Sequence, residues 1–560
     1  MTRIQRSAPL LAFLLVAAAS IRLVCSTYGT FSQTFDEPAH LACGIEFLDR
    51  GVYNYEAQHP PLARVALALG PYFSGVRSIG LPSMWDEGNA LLGKGDDYTR
   101  ILSLARAGIL PFFWLASLAV FLWANRVAGR LAALVAVLLF TTTPPVLAHA
   151  GLATTDMAIT AFLLLALYAT VVFAERPSWQ ASVLLAIALA GAVLSKFTVF
   201  LFYPASAAGV AAMWLLVARP SRKQILWSVR IRARRIAAAA GLAALLIWAG
   251  YGFSLNQLST EENRPHQIVT RVFGTEGALV AAANALVEMP LPGSELVRGI
   301  VHAGYHASEG HDSYLLGEYR KTGWIAFFPV VLAVKTPLGL LALFILGVAV
   351  MIRDRHRLSW QQWTPLIVFL AILLAVLPSK VNLGVRHILP IYGPMAIIGS
   401  LGAVTLLTQA RPRFTPAAAG VLLAWHCAAS TTAHPNHLSY FNELAGRNPE
   451  EILVESDLDW GQDIRRLGDV LRSLNASEPR IALFTSADLR NQNLPPSRRL
   501  QPYEPVSGWV AISLTQLKMM GLKMKHESGR SDGPYDWLER YQPMAMAGRS
   551  IRIYHIPESQ

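Results

Sequence analysis

Apolar residues along this chain gather into long runs broken by short charged segments, as bilayer-spanning helices require. The helix is the natural spanning element, because it satisfies its own backbone hydrogen bonds. Eleven runs are predicted to span: 8–28, 107–124, 131–149, 157–174, 181–194, 197–217, 236–253, 336–352, 364–378, 388–408 and 415–430. The first, behind Arg3 and Arg6, has the alternative reading of a signal peptide ending near Ala17-Ala18-Ala19. An uncleaved span is expected, since the apolar stretch continues to about Val24. From Gly323 to Ile352 only Lys335 and Thr336 break the apolar character, and the run exceeds one span. Dividing it puts Phe327 to Val334 along the interface, Lys335 at the membrane boundary and Pro337 in the first turn of the next span.

Composition agrees. Hydrophobic residues make up 53% and charged residues 15% of the 560, and the mean hydropathy is +0.38. A water-soluble protein would have nowhere to place that apolar surface. The net charge of +12 is set by topology. With a cytoplasmic N-terminus, the inside segments carry Arg3, Arg6, Arg126, Arg130, Arg176, seven basic residues from Arg219 to Arg235, Arg353, Arg355, Arg357, Arg411 and Arg413. The short outside loops hold Lys196, Lys380 and Arg386. Basic loops beside a bilayer meet anionic lipid headgroups, so the charge calls for membrane lipids as partners and for no nucleic acid.

Three long segments then fall outside: 29–106, 254–335 and the tail 431–560. In the tail, Ile452 to Glu455 reads as a strand and Asp463 to Asn475 as an amphipathic helix. Arg480 to Thr485, Gly508 to Leu514 and Ser550 to Ile556 read as further strands. The expected fold is a polytopic α-helical membrane protein of about 11 spans (residues 1–430) with a small C-terminal α/β extracytoplasmic domain (431–560). Of three cysteines, Cys25 and Cys43 could pair and Cys427 would remain single; no zinc-type spacing exists.

Candidate chemistry begins just after the first span, at Thr34-Phe35-Asp36-Glu37-Pro38. A carboxylate at the bilayer edge can serve as a general base, its basicity raised by partial desolvation. Acids at a helix N-terminus, favoured by the macrodipole, are the competing reading. At Gln58-His59-Pro60-Pro61 the prolines stiffen an extended entry into a helix start and fix His59 near the membrane surface.

These motifs continue in order: HAGLATTD at His149 to Asp156, Ser195-Lys196-Phe197-Thr198, GHDSYLLGE at Gly310 to Glu318 and GWIAFFPVVLAVKTPL at Gly323 to Leu338. NLGVRHILP at Asn382 to Pro390, HPNHLSYFNELAG at His434 to Gly446 and SDLDWGQD at Ser456 to Asp463 complete the series. In this series the chain resembles the GT-C glycosyltransferases of the protein O-mannosyltransferase and aminoarabinose transferase superfamily, above all the bacterial phospholipid carrier-dependent branch.

The resemblance implies transfer of a sugar from a polyprenyl-phosphate carrier to a protein, lipid or glycan acceptor, on the outer face of what would be a bacterial inner membrane. Asp36 matches the catalytic carboxylate, acting as general base in an inverting displacement, and Glu37 would orient the acceptor or its partner. One base and direct displacement need no nucleophilic carboxylate. The leaving phosphate needs positive charge instead. Lys196, Lys335 and Arg386 lie at predicted outer ends of spans and are candidates to hold it, snorkelling to headgroups being the alternative. Asp156 matches a second acidic position that would support the sugar or pair with a base, an N-cap being the alternative. His59 and His311, within two of the motifs, are further candidates for substrate binding. Relatives place a divalent metal near the carrier phosphate. Here Gln58-His59 occupies the neighbourhood of one ligand, so metal stays an open alternative, with His59, His302, His306 and His311 as nitrogen donors. The tail motif Asp457 to Asp463 reads as a junction capping the following helix. A polyprenyl-linked sugar transporter or flippase is the rival from another class. Paired halves and midplane charges would mark it, and the sequence shows neither. A non-catalytic GT-C-like scaffold is the third reading.

Overall fold

A computed structural model describes residues 3–93, 97–258, 266, 269–270, 274–408 and 415–558. Helix α1 (Arg3–Cys25) takes most of the first apolar run, which ends in a turn after Cys25. The segment after it is helical as well: α2 (Glu37–Arg50), α3 (Pro61–Phe73), α4 (Met84–Leu92) and α5 (Tyr98–Ala107). Local chemistry sets these boundaries. Pro38 lies in the first turn of α2, and Gly51 ends it in the left-handed conformation at φ 69°. Extended Pro60 leads into Pro61 at the start of α3, and Ser83 caps α4 by accepting a hydrogen bond from the Trp85 N–H.

The second and third apolar runs share one long element, α6 (Leu110–Thr141), kinked at Gly129, where φ 84° and ψ 177° suit a residue without Cβ. Then come α7 (Pro144–Ala150), α8 (Asp156–Glu175), α9 (Trp179–Val193), α10 (Val199–Ala218) and α11 (Arg222–Gly250). Four later apolar helices follow: Leu338–Arg353, Trp360–Val376, Tyr392–Thr408 and Thr415–Ala433. Each of the eleven predicted runs overlaps these helices, with 131–149 divided between α6 and α7. Fewer reach full crossing length: among the described residues five helices are long and apolar enough, or six if the bent pair Phe327–Lys335 and Leu338–Arg353 counts as one. Apolar helices of this kind make the chain an integral membrane protein. α6 packs against α1, α8 and Tyr392–Thr408, with Phe113, Trp123 and Phe140 fully buried.

The bent pair turns by 113° at Thr336-Pro337. Pro337 stands just before Leu338–Arg353 as its N-cap, where it forfeits no intrahelical hydrogen bond.

In the tail, a five-stranded sheet runs Arg498–Arg499, Arg480–Ala482, Gly508–Ser513, Ile551–Ile556, Ala545–Ala547. The first three strands are parallel and the last two antiparallel to their neighbours. Helix Ile464–Ser473 buries Leu467 and Leu471 in one core cluster with Ile481, Ala511 and Ile553 from the sheet. The strand expected over Ile452 to Glu455 is absent. Two 3-10 turns, Pro449–Glu451 and Glu455–Asp457, stand there, because Pro449 cannot donate to a ladder and Glu455 adopts a left-handed φ of 56°. The three cysteines are free, Cys25 exposed and Cys43 buried, so the suggested Cys25–Cys43 pairing does not form.

Candidate active site

Asp36 and Glu37 are adjacent, but helix geometry turns their side chains about 100° apart, and the two have different surroundings. Asp36 is the N-cap of α2, yet its carboxylate makes no cap hydrogen bond. It accepts from Arg386 Nη1 at 2.7 Å and remains 26% exposed. Glu37 is buried. Its Oε1 accepts from Arg106 Nε and the Ala153 N–H, and its Oε2 from Arg106 Nη2 and the Thr34 N–H, at 2.7–2.8 Å. Four donors saturate this carboxylate and no surface is left for an acceptor. Glu37, expected to orient the acceptor or its partner, is turned inward, where it clamps the α1–α2 connection that carries Asp36. Arg106 completes the clamp by donating to the Ser32 carbonyl at 2.7 Å.

The same connection is strung onto the tail. Ser32 N–H donates to Gln462 O and Phe35 N–H to Trp460 O, both at 2.9 Å, while Ser486 Oγ donates to Phe35 O at 2.5 Å. The Phe35 ring stacks on Phe484 at 5.1 Å and meets Trp85 edge-on at 5.2 Å.

Arg386 stands in the short 3-10 segment Val385–Ile391 that leads into Tyr392–Thr408. Besides Asp36, Glu455 Oε1 lies 3.7 Å from its Nη2, and the Trp460 ring covers its guanidinium at 4.2 Å. A second ion pair stands at the start of α8. Asp156 is buried, and its Oδ1 accepts from Lys196 Nζ at 2.6 Å while Thr154 Oγ1 donates to its Oδ2 at 3.2 Å. Of the two openings left for Asp156, pairing with a base is thus the one the geometry takes. Lys196, on the connection between α9 and α10, keeps 12% of its side chain exposed.

The remaining sequence candidates divide. His59 is 26% exposed, its Nδ1 lying 3.1 Å from Glu56 Oε2 and its ring 5.2 Å from His40. Burial raises the Glu56 carboxyl, but Arg64 and His59 beside it prevail and hold it well below the usual carboxylate range. Arg64 is wholly buried. It pairs with Glu56 and donates to His40 Nδ1 at 3.0 Å and Tyr53 Oη at 2.9 Å. His311 packs on His306 at 5.5 Å, and its Nδ1 lies 2.9 Å from the Asp312 carbonyl. Lys335 is buried at the 113° bend. Its Nζ donates to the carbonyls of Leu438 at 2.8 Å and Asp457 at 2.6 Å and sits over the Phe441 ring. That cation ties the tail to the bend. Among the described residues no three His, Cys, Asp or Glu side chains are grouped to hold a metal ion.

Sequence reasoning missed Arg106, Arg64, Glu56, Glu455 and Trp460. Arg64 stands three residues beyond Gln58-His59-Pro60-Pro61, and Trp460 stands within Asp457 to Asp463, so the signal for Trp460 lay inside a motif already singled out.

Residues 102–251, about a quarter of the chain, match the sequence profile of the family described as dolichyl-phosphate-mannose-protein mannosyltransferase. That stretch includes Arg106, Asp156 and Lys196. No curated protein matches by sequence. Among solved structures, the fold is similar to ArnT from Cupriavidus metallidurans bound to undecaprenyl phosphate, at 13% identity and a TM-score of 0.48, covering 96% of this chain and 97% of that one. It is also similar to the archaeal oligosaccharyltransferase AglB from Archaeoglobus fulgidus in complex with an inhibitory peptide and a dolichol-phosphate. There the identity is 13%, the TM-score 0.47 and the coverage 77% of this chain, which spans 56% of the archaeal chain.

Proposed function

We propose that the chain is a GT-C glycosyltransferase that moves a sugar from a polyprenyl-phosphate carrier to an acceptor hydroxyl or amine at the extracytoplasmic face of the membrane. The observation that carries this reading is the pairing of Asp36, a partly exposed carboxylate, with Arg386 at 2.7 Å, beside a second carboxylate–cation pair, Asp156–Lys196. The family profile over residues 102–251 supports it.

In the proposed step the acceptor heteroatom gives its proton to the Asp36 carboxylate as it bonds to the anomeric carbon. The bond from that carbon to the phosphate oxygen breaks, and its electron pair leaves with the phosphate. Arg386 and Lys196 are the cations able to receive the charge that develops there. The acceptor's chemical class is open to protein, lipid or glycan, and the Asp-Glu and His-Pro-Pro motifs favour a mannosyl-type sugar.

The test is sugar transfer by the purified full-length protein from a panel of labelled polyprenyl-phosphate sugars. Turnover with one donor, lowered at least a hundredfold in a folded Asp36→Asn, is the expected result for loss of a general base. An equally active Asp36→Asn would remove Asp36 from the mechanism.

A further inference from the structure

We infer that Glu455, carried by the tail, is a positioning residue that draws Arg386 away from Asp36 and so readies Asp36 to accept a proton. The inference rests on the reading of the site proposed above. Arg386 has a carboxylate on either side: Asp36 in a short charge-assisted hydrogen bond of 2.7 Å, and Glu455 in a looser contact of 3.7 Å. Trp460 closes the guanidinium face at 4.2 Å, and Nε donates to the Leu383 carbonyl at 3.3 Å. The guanidinium thus sits between the two acids with one face covered and its Nε engaged.

Glu455 is held at its post by the tail. Its φ of 56° is one a non-glycine residue keeps only where its surroundings enforce it. The enforcement is visible. The Glu455 N–H donates to Thr515 Oγ1 at 2.9 Å, and Glu455 Oε2 accepts from the Ser456 N–H. Ser456 Oγ donates to Leu383 O at 2.6 Å, and Val385 N–H donates to Asp457 Oδ1 at 3.0 Å. Gly384 lies so close that a Cβ there would come within 2.7 Å of Asp457 Oδ2. Residues 455–460 are thus stitched to residues 383–386 at the neighbours on both sides of the Arg386 contact.

The chemical need for such a residue follows from the Asp36 contact. Arg386 Nη1 donates to Asp36 Oδ2 and so occupies an oxygen that an incoming proton would use. For Asp36 to take a proton, Arg386 must loosen its hold when the donor is bound. The carrier phosphate draws on the same guanidinium, and Glu455 pulls from the far side, at a distance that attracts Arg386 without capturing it. Glu455 also sets a negative charge close to the phosphate position, so it trades donor affinity for base strength.

Glu455→Gln, nearly isosteric and neutral, separates these effects. Binding of undecaprenyl phosphate and dolichyl phosphate is measured on full-length protein in nanodiscs, with kcat on the active donor, for wild type, Glu455→Gln and Glu455→Asp. The expected result is carrier phosphate bound about three- to tenfold tighter by Glu455→Gln, with kcat about tenfold lower, while Glu455→Asp stays near wild type in binding. A misfolded variant loses affinity and turnover together, so changes of opposite sign do not arise from structural damage. If wild type binds carrier phosphate and turns over, but Glu455→Gln changes neither quantity or lowers both, the role of Glu455 is refuted and the reading of the site survives. If wild type binds neither lipid phosphate, both fall.

Discussion

Replacing Arg106 by Met tests whether the Glu37 clamp places Asp36. Arg106 is fully buried, with two bonds of 2.8 Å to Glu37 and one of 2.7 Å to the Ser32 carbonyl. Methionine fills similar space but leaves the Glu37 carboxylate buried without its counter-charge, a loss of about 3–5 kcal/mol. The Thr34 and Ala153 N–H groups still donate to Glu37, which places the expected cost toward the lower end. In Glu37→Gln/Arg106→Met the uncompensated charge disappears. The double variant is then expected to be more stable than Arg106→Met alone, by about 1–3 kcal/mol. Thermal melting of the detergent-solubilised wild type, Arg106→Met and the double variant, followed by tryptophan fluorescence, gives their order. Transfer activity is expected to fall in the single and the double variant alike, because both free the Thr34–Glu37 turn that aims Asp36. A double variant less stable than Arg106→Met would refute the clamp. Full activity in Arg106→Met would refute its role in placing Asp36.

Other outcomes follow from the same geometry. Burial, opposed by hydrogen bonds from Thr515 and Ser513 and reinforced by Asp463, pushes the Asp459 carboxyl up to about 7. The folded tail then binds this proton more tightly than the unfolded chain does, so stability falls as pH rises from about 4 to about 7; Asp459→Asn should flatten that slope in melts across the range. Gly384→Ala forces φ 83° on a residue with a Cβ and drives that Cβ against Asp457 and Ser456, costing about 1–3 kcal/mol or displacing Arg386. Activity more than tenfold down is expected, and wild-type kinetics would overturn the account of that contact. Lys335→Met should lower the melting temperature with donor KM unchanged, whereas Lys196→Met should raise donor KM at least tenfold; the reverse pattern would return Lys335 to phosphate binding.

The sequence made the apolar runs legible because a span must be long and continuous to bury its backbone. The His-Pro-Pro helix start was legible because proline acts locally. The division of labour within Asp36-Glu37 was not. Two acids side by side read alike in sequence, and only the meeting of Glu37 with Arg106, 69 residues away, makes one structural and leaves the other partly open. Lys335 shows the same limit from the other side. Its position at the end of an apolar run was readable, but the two carbonyls that absorb its charge come from Leu438 and Asp457, more than a hundred residues on. Asp457 to Asp463 read as a helix junction, which it is locally, since Ile464–Ser473 starts there. Its contact with the Arg386 segment is tertiary and leaves no trace in spacing.

The strands of hydrogen bonds between the α1–α2 connection and the tail also set an order of assembly. Ser486 Oγ holds the Phe35 carbonyl across 451 residues of chain, and Arg465 N–H holds Ser32 Oγ across 433. A ribosome delivers Asp36 near the start and its supports near the end. Throughout synthesis and insertion, Asp36 therefore waits without Glu455, Trp460 or Ser486. A prematurely terminated chain already holds most of its apolar helices but lacks the tail residues that hold the α1–α2 connection in place.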